Sequence, residues 1–150
     1  MTLKIPPALV FLLFVAFMYV LDRFLPVGEF DFFGREGLIL GLGIGAVCIT
    51  MVALIQFLRA RTTVDPSLRT KTTTLVTGGV YRFSRNPMYL ALLLLLLAWG
   101  LWLGNAFNTL LAALFVAYMN RFQIAPEEEA LERLFGKEYQ QYCLQSRRWF

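Results

Sequence analysis

The stretch Leu75-Val-Thr-Gly-Gly-Val-Tyr-Arg-Phe-Ser-Arg-Asn-Pro-Met-Tyr89 runs directly into Leu90-Ala-Leu-Leu-Leu-Leu-Leu-Leu-Ala98. It is a polar, glycine-bearing, basic segment held against a long apolar run. Gly78 and Gly79 permit backbone angles that other residues avoid. Pro87 fixes its own φ and biases Asn86 towards an extended shape, so a helix is expected to start there. Tyr81, Arg82, Arg85, Asn86 and Tyr89 therefore lie where a loop becomes an apolar helix. Hydrogen-bonding groups and aromatic faces are gathered at a membrane–water boundary.

Working outward, the totals agree with a membrane setting. The chain of 150 residues is 58% hydrophobic with mean hydropathy +0.61, against roughly 45–50% apolar residues in soluble domains. There are four apolar runs: Ile5 to Leu25, Leu38 to Leu58, Met88 to Leu103 and Phe107 to Tyr118. The first two have the length of a spanning helix of about 20 residues. The last two form a shorter hairpin across Gly104 and Asn105. The first run is preceded only by Lys4 and ends without a small-residue cleavage site, unlike a signal peptide. The expected fold is all-α. It is a polytopic integral membrane bundle of about four transmembrane helices plus a cytosolic amphipathic C-terminal helix, forming one domain over residues 1–150.

Charge sets an orientation. Arg59 to Asn86 carries Arg59, Arg61, Arg69, Lys71, Arg82 and Arg85 against Asp65, whereas the Pro26–Gly37 connection with Asp22 and Arg23 is net acidic. Basic segments face the cytoplasm. Both termini are then cytoplasmic, in a cell (inner) membrane. The net charge of +4 is accounted for by that bias, so no nucleic-acid partner is expected. The threonine-rich part of this segment is expected to be an ordered re-entrant or surface loop.

Several chemistries are excluded. Without a histidine there is no histidine base and no histidine metal ligand. Cys48 and Cys143 are too far apart in the pattern for a zinc site or disulfide framework. Gly41, Gly43, Gly45 and Ala46 mimic a dinucleotide fingerprint but lie inside an apolar run with no preceding strand; close helix packing is the expectation. Pro126 opens a further helix with Glu127, Glu128 and Glu129 in its first turn and Leu131, Leu134, Phe135, Tyr139 and Tyr142 on one face. Taken alone, the acids suit a helix N-terminus, the arginines suit lipid headgroups and the tyrosines suit an interface. Because the third and fourth runs form a hairpin, the Tyr81–Tyr89 and Arg121–Glu128 segments are expected to be neighbours.

The order and spacing of these segments resembles the isoprenylcysteine carboxyl methyltransferase family, which is related to the membrane phospholipid N-methyltransferases. The resemblance rests on Leu75–Tyr89 followed by Glu127-Glu128-x-x-Leu131-x-x-x-Phe135-Gly136-x-x-Tyr139-x-x-Tyr142 and covers roughly residues 62–148. It implies S-adenosylmethionine bound at the cytosolic face and a lipophilic small-molecule or lipid acceptor taken from the surrounding membrane lipids. It further implies cofactor contacts from Leu75, Val76, Tyr81, Asn86, Pro87, Met88, Tyr89 and Glu127, with Glu128 as second acid. Two positions depart. Asn86 stands where the eukaryotic enzymes have His, and Gln123 stands where they have a substrate-binding Arg. Arg121 is the neighbouring replacement. Arg85, Arg121 and Glu128 are the expected catalytic groups. A carboxylate acceptor needs no general base, since it is already ionised; a phenol or phospholipid amine needs one, with Glu128 or Tyr89 nearest. The alternative of another class is a four-helix exporter or a non-catalytic membrane subunit. Proton-coupled exporters place ionisable groups within spans, and residues 38–58 and 88–118 hold no Asp, Glu, Lys or Arg.

Overall fold

The computed structural model describes residues 5–60 and 74–150. The expected ordered loop from Arg59 therefore lies in part outside the described residues. Among the described residues six α-helices predominate: α1 (Pro7–Phe24), α2 (Arg35–Ala60), α3 (Pro87–Leu103), α4 (Phe107–Met119), α5 (Ala125–Phe135) and α6 (Lys137–Gln145). A 3-10 turn, Gly79–Arg82, precedes α3, and a π-helical turn, Asn120–Ile124, joins α4 to α5.

Local chemistry explains the boundaries. Pro6 is extended (φ −53°, ψ 135°) and Pro7 opens α1, where a missing N–H costs nothing. Pro87 opens α3 in the same way after Asn86 at φ −128°. Gly104, left-handed at φ +78°, closes α3 by donating its N–H to the Gly100 carbonyl. The Asn105 side chain then accepts from the Phe107 N–H at 3.0 Å and donates to the Leu25 carbonyl at 2.8 Å. That residue both starts α4 and ties it to the end of α1.

Two helices, α1 and α2, are long and apolar enough to cross a bilayer, and only 11% of either apolar window is buried within the protein. Leu12, Leu13, Phe17, Leu40, Ile44 and Val47 are among the exposed large side chains. Such extensive apolar exposure requires lipid to cover it: this is a membrane protein. The helix α3 is apolar but shorter, at 17 residues, or about 26 Å.

The core lies between α1, α3 and α4. Met18, Leu96, Phe115, Met119 and Ile124 are fully buried there, and Phe14 meets Phe115 edge-on at 5.4 Å. The helix α2 lies along α3, but the glycine stripe does little of that work. Gly41 and Gly43 have nothing within 4 Å of a built Cβ, while Gly45 faces Leu94 and Ala46 and Ala53 are buried. The closer approach is at Gly100, where a Cβ would meet that of Asn108 at 3.2 Å.

The C-terminal part differs from the sequence expectation in two ways. No new helix begins at Pro126. The rod from Phe107 to Phe135 is continuous through the π turn, whose flanking residues keep right-handed helical angles. Proline is tolerated because it falls just beyond the π turn, where the spacing of backbone bonds changes. The expected single amphipathic helix is two, broken at Gly136 with φ +51°, a conformation open to glycine and resisted by other residues. One end of the bundle collects Ile5, Gln56, Gly78, Glu127 and Arg148; the other collects Leu25, Phe30, Gly104 and Asn105.

Candidate functional site

The glycine turn is shaped from α2. Gln56 donates to the Gly78 carbonyl at 2.6 Å and accepts from the Val80 N–H at 3.3 Å. Its amide thus satisfies both edges of the turn. Gly79 sits at φ +56°, and a Cβ there would overlap Gln56 Nε2 and lie 2.7 Å from its Cδ. The turn carries Tyr81 into the interior at 6% exposure, edge-on to Phe57 at 5.3 Å. Tyr142 of α6 donates its hydroxyl to the Tyr81 carbonyl at 2.6 Å. Ser84 accepts from the Asn86 N–H at 3.2 Å, and Asn86 ahead of Pro87 sits at φ −128°, ψ 56°, outside the helical region but short of the extended shape that the following proline favours.

Behind this turn lies a cavity of about 770 Å³ counted with its open mouth, lined by Phe57, Thr74, Leu75, Val76, Tyr81, Arg85, Asn86, Pro87, Met88, Tyr89, Glu127, Glu128, Leu131, Tyr139 and Tyr142. All eight residues expected at a cofactor are in the lining, as are Arg85 and Glu128. Tyr89 donates its hydroxyl to Glu127 Oε1 at 2.6 Å, so the two sequence segments meet across the hairpin.

Arg121 is not brought there. It is exposed on the π turn and absent from the lining. Gln123 is buried and donates to the Ile5 carbonyl at 2.6 Å, which fastens the start of α1. For Gln123 the π turn supplies the reason: its five-residue bond spacing breaks the alignment that would put a residue four before Glu127 on the same face of an α-helix. Arg121, six residues before Glu127, would face away from it even in a regular α-helix.

The two acids differ in their partners. Glu128 receives Arg148 through Nε at 3.1 Å and more closely through Nη2. Arg85 approaches it at 3.4 Å, which is long for a charged hydrogen bond. Arg85 is otherwise committed to the carbonyls of Cys143 and Ser146. Burial pushes the phenols of Tyr81 and Tyr139 well above their usual range; for Tyr139 the nearby Glu128 carboxylate adds to this. Burial likewise takes Tyr142 up to about 12, against the opposing pull of its Ser146 bond and Arg85. All three remain neutral hydrogen-bond donors at ordinary pH. The bond to Glu128 raises the Arg148 guanidinium further. Among the described residues no group of His, Cys, Asp and Glu could hold a metal.

Sequence reasoning missed Phe57, Gln56 and Arg148. The first two lie at the end of an apolar run, where nothing marks a side chain as pointing to a site. Arg148 reads as one of two terminal basic residues. Leu131, Tyr139 and Tyr142 carried a signal as the apolar face of the last helix, but their place in a cavity wall depends on the break at Gly136.

Known proteins supply a relationship. No solved structure gives a significant match. A protein of Haemophilus influenzae described as uncharacterized is 55% identical over 62 residues, covering 41% of this chain and 98% of that protein. The protein-S-isoprenylcysteine O-methyltransferase of Schizosaccharomyces pombe is 33% identical over 90 residues, covering 60% of this chain and 38% of that enzyme. A family model described as phospholipid methyltransferase matches residues 37–138. That match runs from α2 to the first turn of α6 and takes in both segments that meet at Tyr89 and Glu127, so the chain belongs to the phospholipid methyltransferase family of membrane methyltransferases.

Proposed function

We propose that the chain is a single membrane-embedded methyltransferase domain that uses S-adenosylmethionine and acts on a lipophilic acceptor. The observation that carries this reading is the 2.6 Å bond between Tyr89 and Glu127, which joins segments 38 residues apart in one cavity wall.

The lining fits the cofactor's chemistry. Phe57, Met88 and Leu131 offer an apolar bed for a base. Glu127 accepts from hydroxyl or ammonium groups, and Asn86 both donates and accepts. Tyr81 and Tyr89 present ring faces suited to a cationic sulfur. Leu75, Val76 and Pro87 complete the contact set. When bound, the cofactor supplies an electrophilic methyl group on a sulfonium. The residues of the chain hold, orient and exclude water, and alignment alone is worth about 7–11 kcal/mol in favourable cases.

For the acceptor, a carboxylate is the first reading. Arg85 lines the cavity, and a guanidinium there favours an anionic head over a protonated amine. A phospholipid amine is the second reading, favoured by the description of the matching family. It requires loss of a proton, for which the lining carboxylate Glu128 is the candidate. The cavity end is proposed to face the cytoplasm of an inner membrane, with α3 and α4 completing about four spans and both termini on that side; the basic bias after α2 supports this.

The test is calorimetric titration of the detergent-purified protein with S-adenosylmethionine and S-adenosylhomocysteine, followed by a radiolabelled methyl-transfer screen of matched carboxylate, phenol and amine lipids. Saturable binding of both compounds is expected. Absence of binding to either refutes the cofactor assignment. Transfer to amines alone selects the second acceptor.

A further inference from the structure

A third segment holds the two that meet at the cavity, and it lies beyond residue 138, where the family match ends. Residues 146–149 run alongside residues 83–86. The Arg147 N–H donates to the Phe83 carbonyl at 3.1 Å, and the Arg85 N–H donates to the Arg147 carbonyl at 2.8 Å. Asn86 Nδ2 donates to the Arg148 carbonyl at 3.0 Å. The same few residues reach the other motif. Trp149 Nε1 donates to Asn120 Oδ1 in the π turn at 2.9 Å, and Arg148 bonds both carboxylate oxygens of Glu128. One short strap thus binds both halves of the site.

We infer that this C-terminal strap is a working part of the cofactor site and that Arg148 is its positioning residue, holding Glu128 so that Glu127 alone is presented beside Tyr89. The inference takes its ligand from the methyltransferase reading, but its geometry stands apart from it. Adjacent residues on an α-helix point about 100° apart, so the rotation of the first turn of α5 decides which acid faces Tyr89. Arg148 grips Glu128 at two points, which fixes direction as well as distance. Without it, Glu128 retains the 3.4 Å approach to Arg85, too long to hold the turn. Both carboxylates would then compete for the same position.

A purely electrostatic role makes the opposite forecast for a cationic ligand. Removing a positive charge would tighten a sulfonium relative to a neutral thioether. Positioning weakens both alike. In Arg148→Gln, affinities for S-adenosylmethionine and S-adenosylhomocysteine should fall together by about tenfold, and in Arg148→Lys, which keeps charge but loses the fork, by about threefold. In a Glu128→Gln background the Arg148→Gln change should have little further effect. Amide exchange on the same proteins, read at residues 83–86 and 120–128, should rise in Arg148→Gln. Unchanged affinity for the thioether, or tightening of the sulfonium alone, overturns the inference while leaving the cofactor assignment intact. If the parent protein binds neither compound, the cofactor assignment fails and takes the strap's part in a cofactor site with it, whatever the exchange at residues 83–86 and 120–128 shows.

Discussion

Gly79→Ala is the substitution whose effect the geometry fixes most closely. The new Cβ would overlap Gln56 Nε2 and stand 2.7 Å from its Cδ, so the glutamine side chain must leave. Two hydrogen bonds go with it, at 2.6 and 3.3 Å. Gln56 is partly exposed, so water recovers some of the loss, and each bond is worth about 0.5–1 kcal/mol net, at the low end of the usual span. The left-handed φ adds about 1 kcal/mol for a residue bearing a Cβ. The total is about 2–3 kcal/mol, of which only the backbone part should survive once the glutamine is gone. In a Gln56→Ala background, Gly79→Ala should therefore cost about 1 kcal/mol, a coupling of about 1–2 kcal/mol between the two sites. The assay is a double-mutant cycle on detergent-purified protein, read by denaturant unfolding and by amide exchange at Val80. S-Adenosylhomocysteine affinity should weaken in parallel, because the turn carries Tyr81 into the cavity wall. Additive effects of the two substitutions would refute the clamp, and with it the view that α2 sets the shape of the glycine turn.

Tyr89→Phe should weaken cofactor binding by about threefold to tenfold, and Glu127→Gln by at least as much, since the 2.6 Å bond they share is charge-assisted and worth about 1.5–3 kcal/mol at most; calorimetry at matched folding, judged by circular dichroism, checks both. Tyr142, raised by burial to about 12, contributes stability that is complete below the unfolded value near pH 10. That contribution should be lost as pH rises through 10 towards 12, because the unfolded chain ionises first. Melting temperatures across about pH 8–12 should show this loss in the parent and less of it in Tyr142→Phe. In a cysteine-free background in intact cells, a cysteine at position 140 should be protected from membrane-impermeant reagents while one at position 31 is labelled; the reverse pattern would invert the proposed orientation.

The legibility of this protein varied along its length for physical reasons. Helices announce themselves through apolar runs bounded by proline and glycine, so α3 was readable from Pro87 and Gly104, and its turn into α4 from Asn105. The cavity is legible because the two ends of a hairpin must meet, which makes the Tyr81–Tyr89 and Arg121–Glu128 segments neighbours; the pairing of Tyr89 with Glu127 is seen only in the structure. Exceptions arose where backbone geometry departs from the α-helix without a sequence marker. Pro126 looked like a beginning and is a continuation. Gln123 stands four residues before Glu127 along a segment whose bonds step by five, and Arg121 is only its neighbour in the sequence, exposed on the π turn. Glu127 and Glu128 are twins in the sequence, and only the partners supplied by Arg148 and Tyr89 separate them.

The π turn also makes the rod unequally tolerant of changes in length. A π turn holds one residue more than the α-helical turn it replaces while leaving the phase of the downstream helix nearly unchanged. Deleting one residue within Asn120–Ile124 would let the rod close into regular α-helix, with Glu127 keeping its azimuth towards Tyr89. The same deletion within Phe107–Met119 would turn everything downstream by about 100° and carry Glu127 off the cavity. Indel scanning along this one helix should therefore find a short window of slack at Asn120–Ile124, preceded by a stretch in which a single lost residue silences the site.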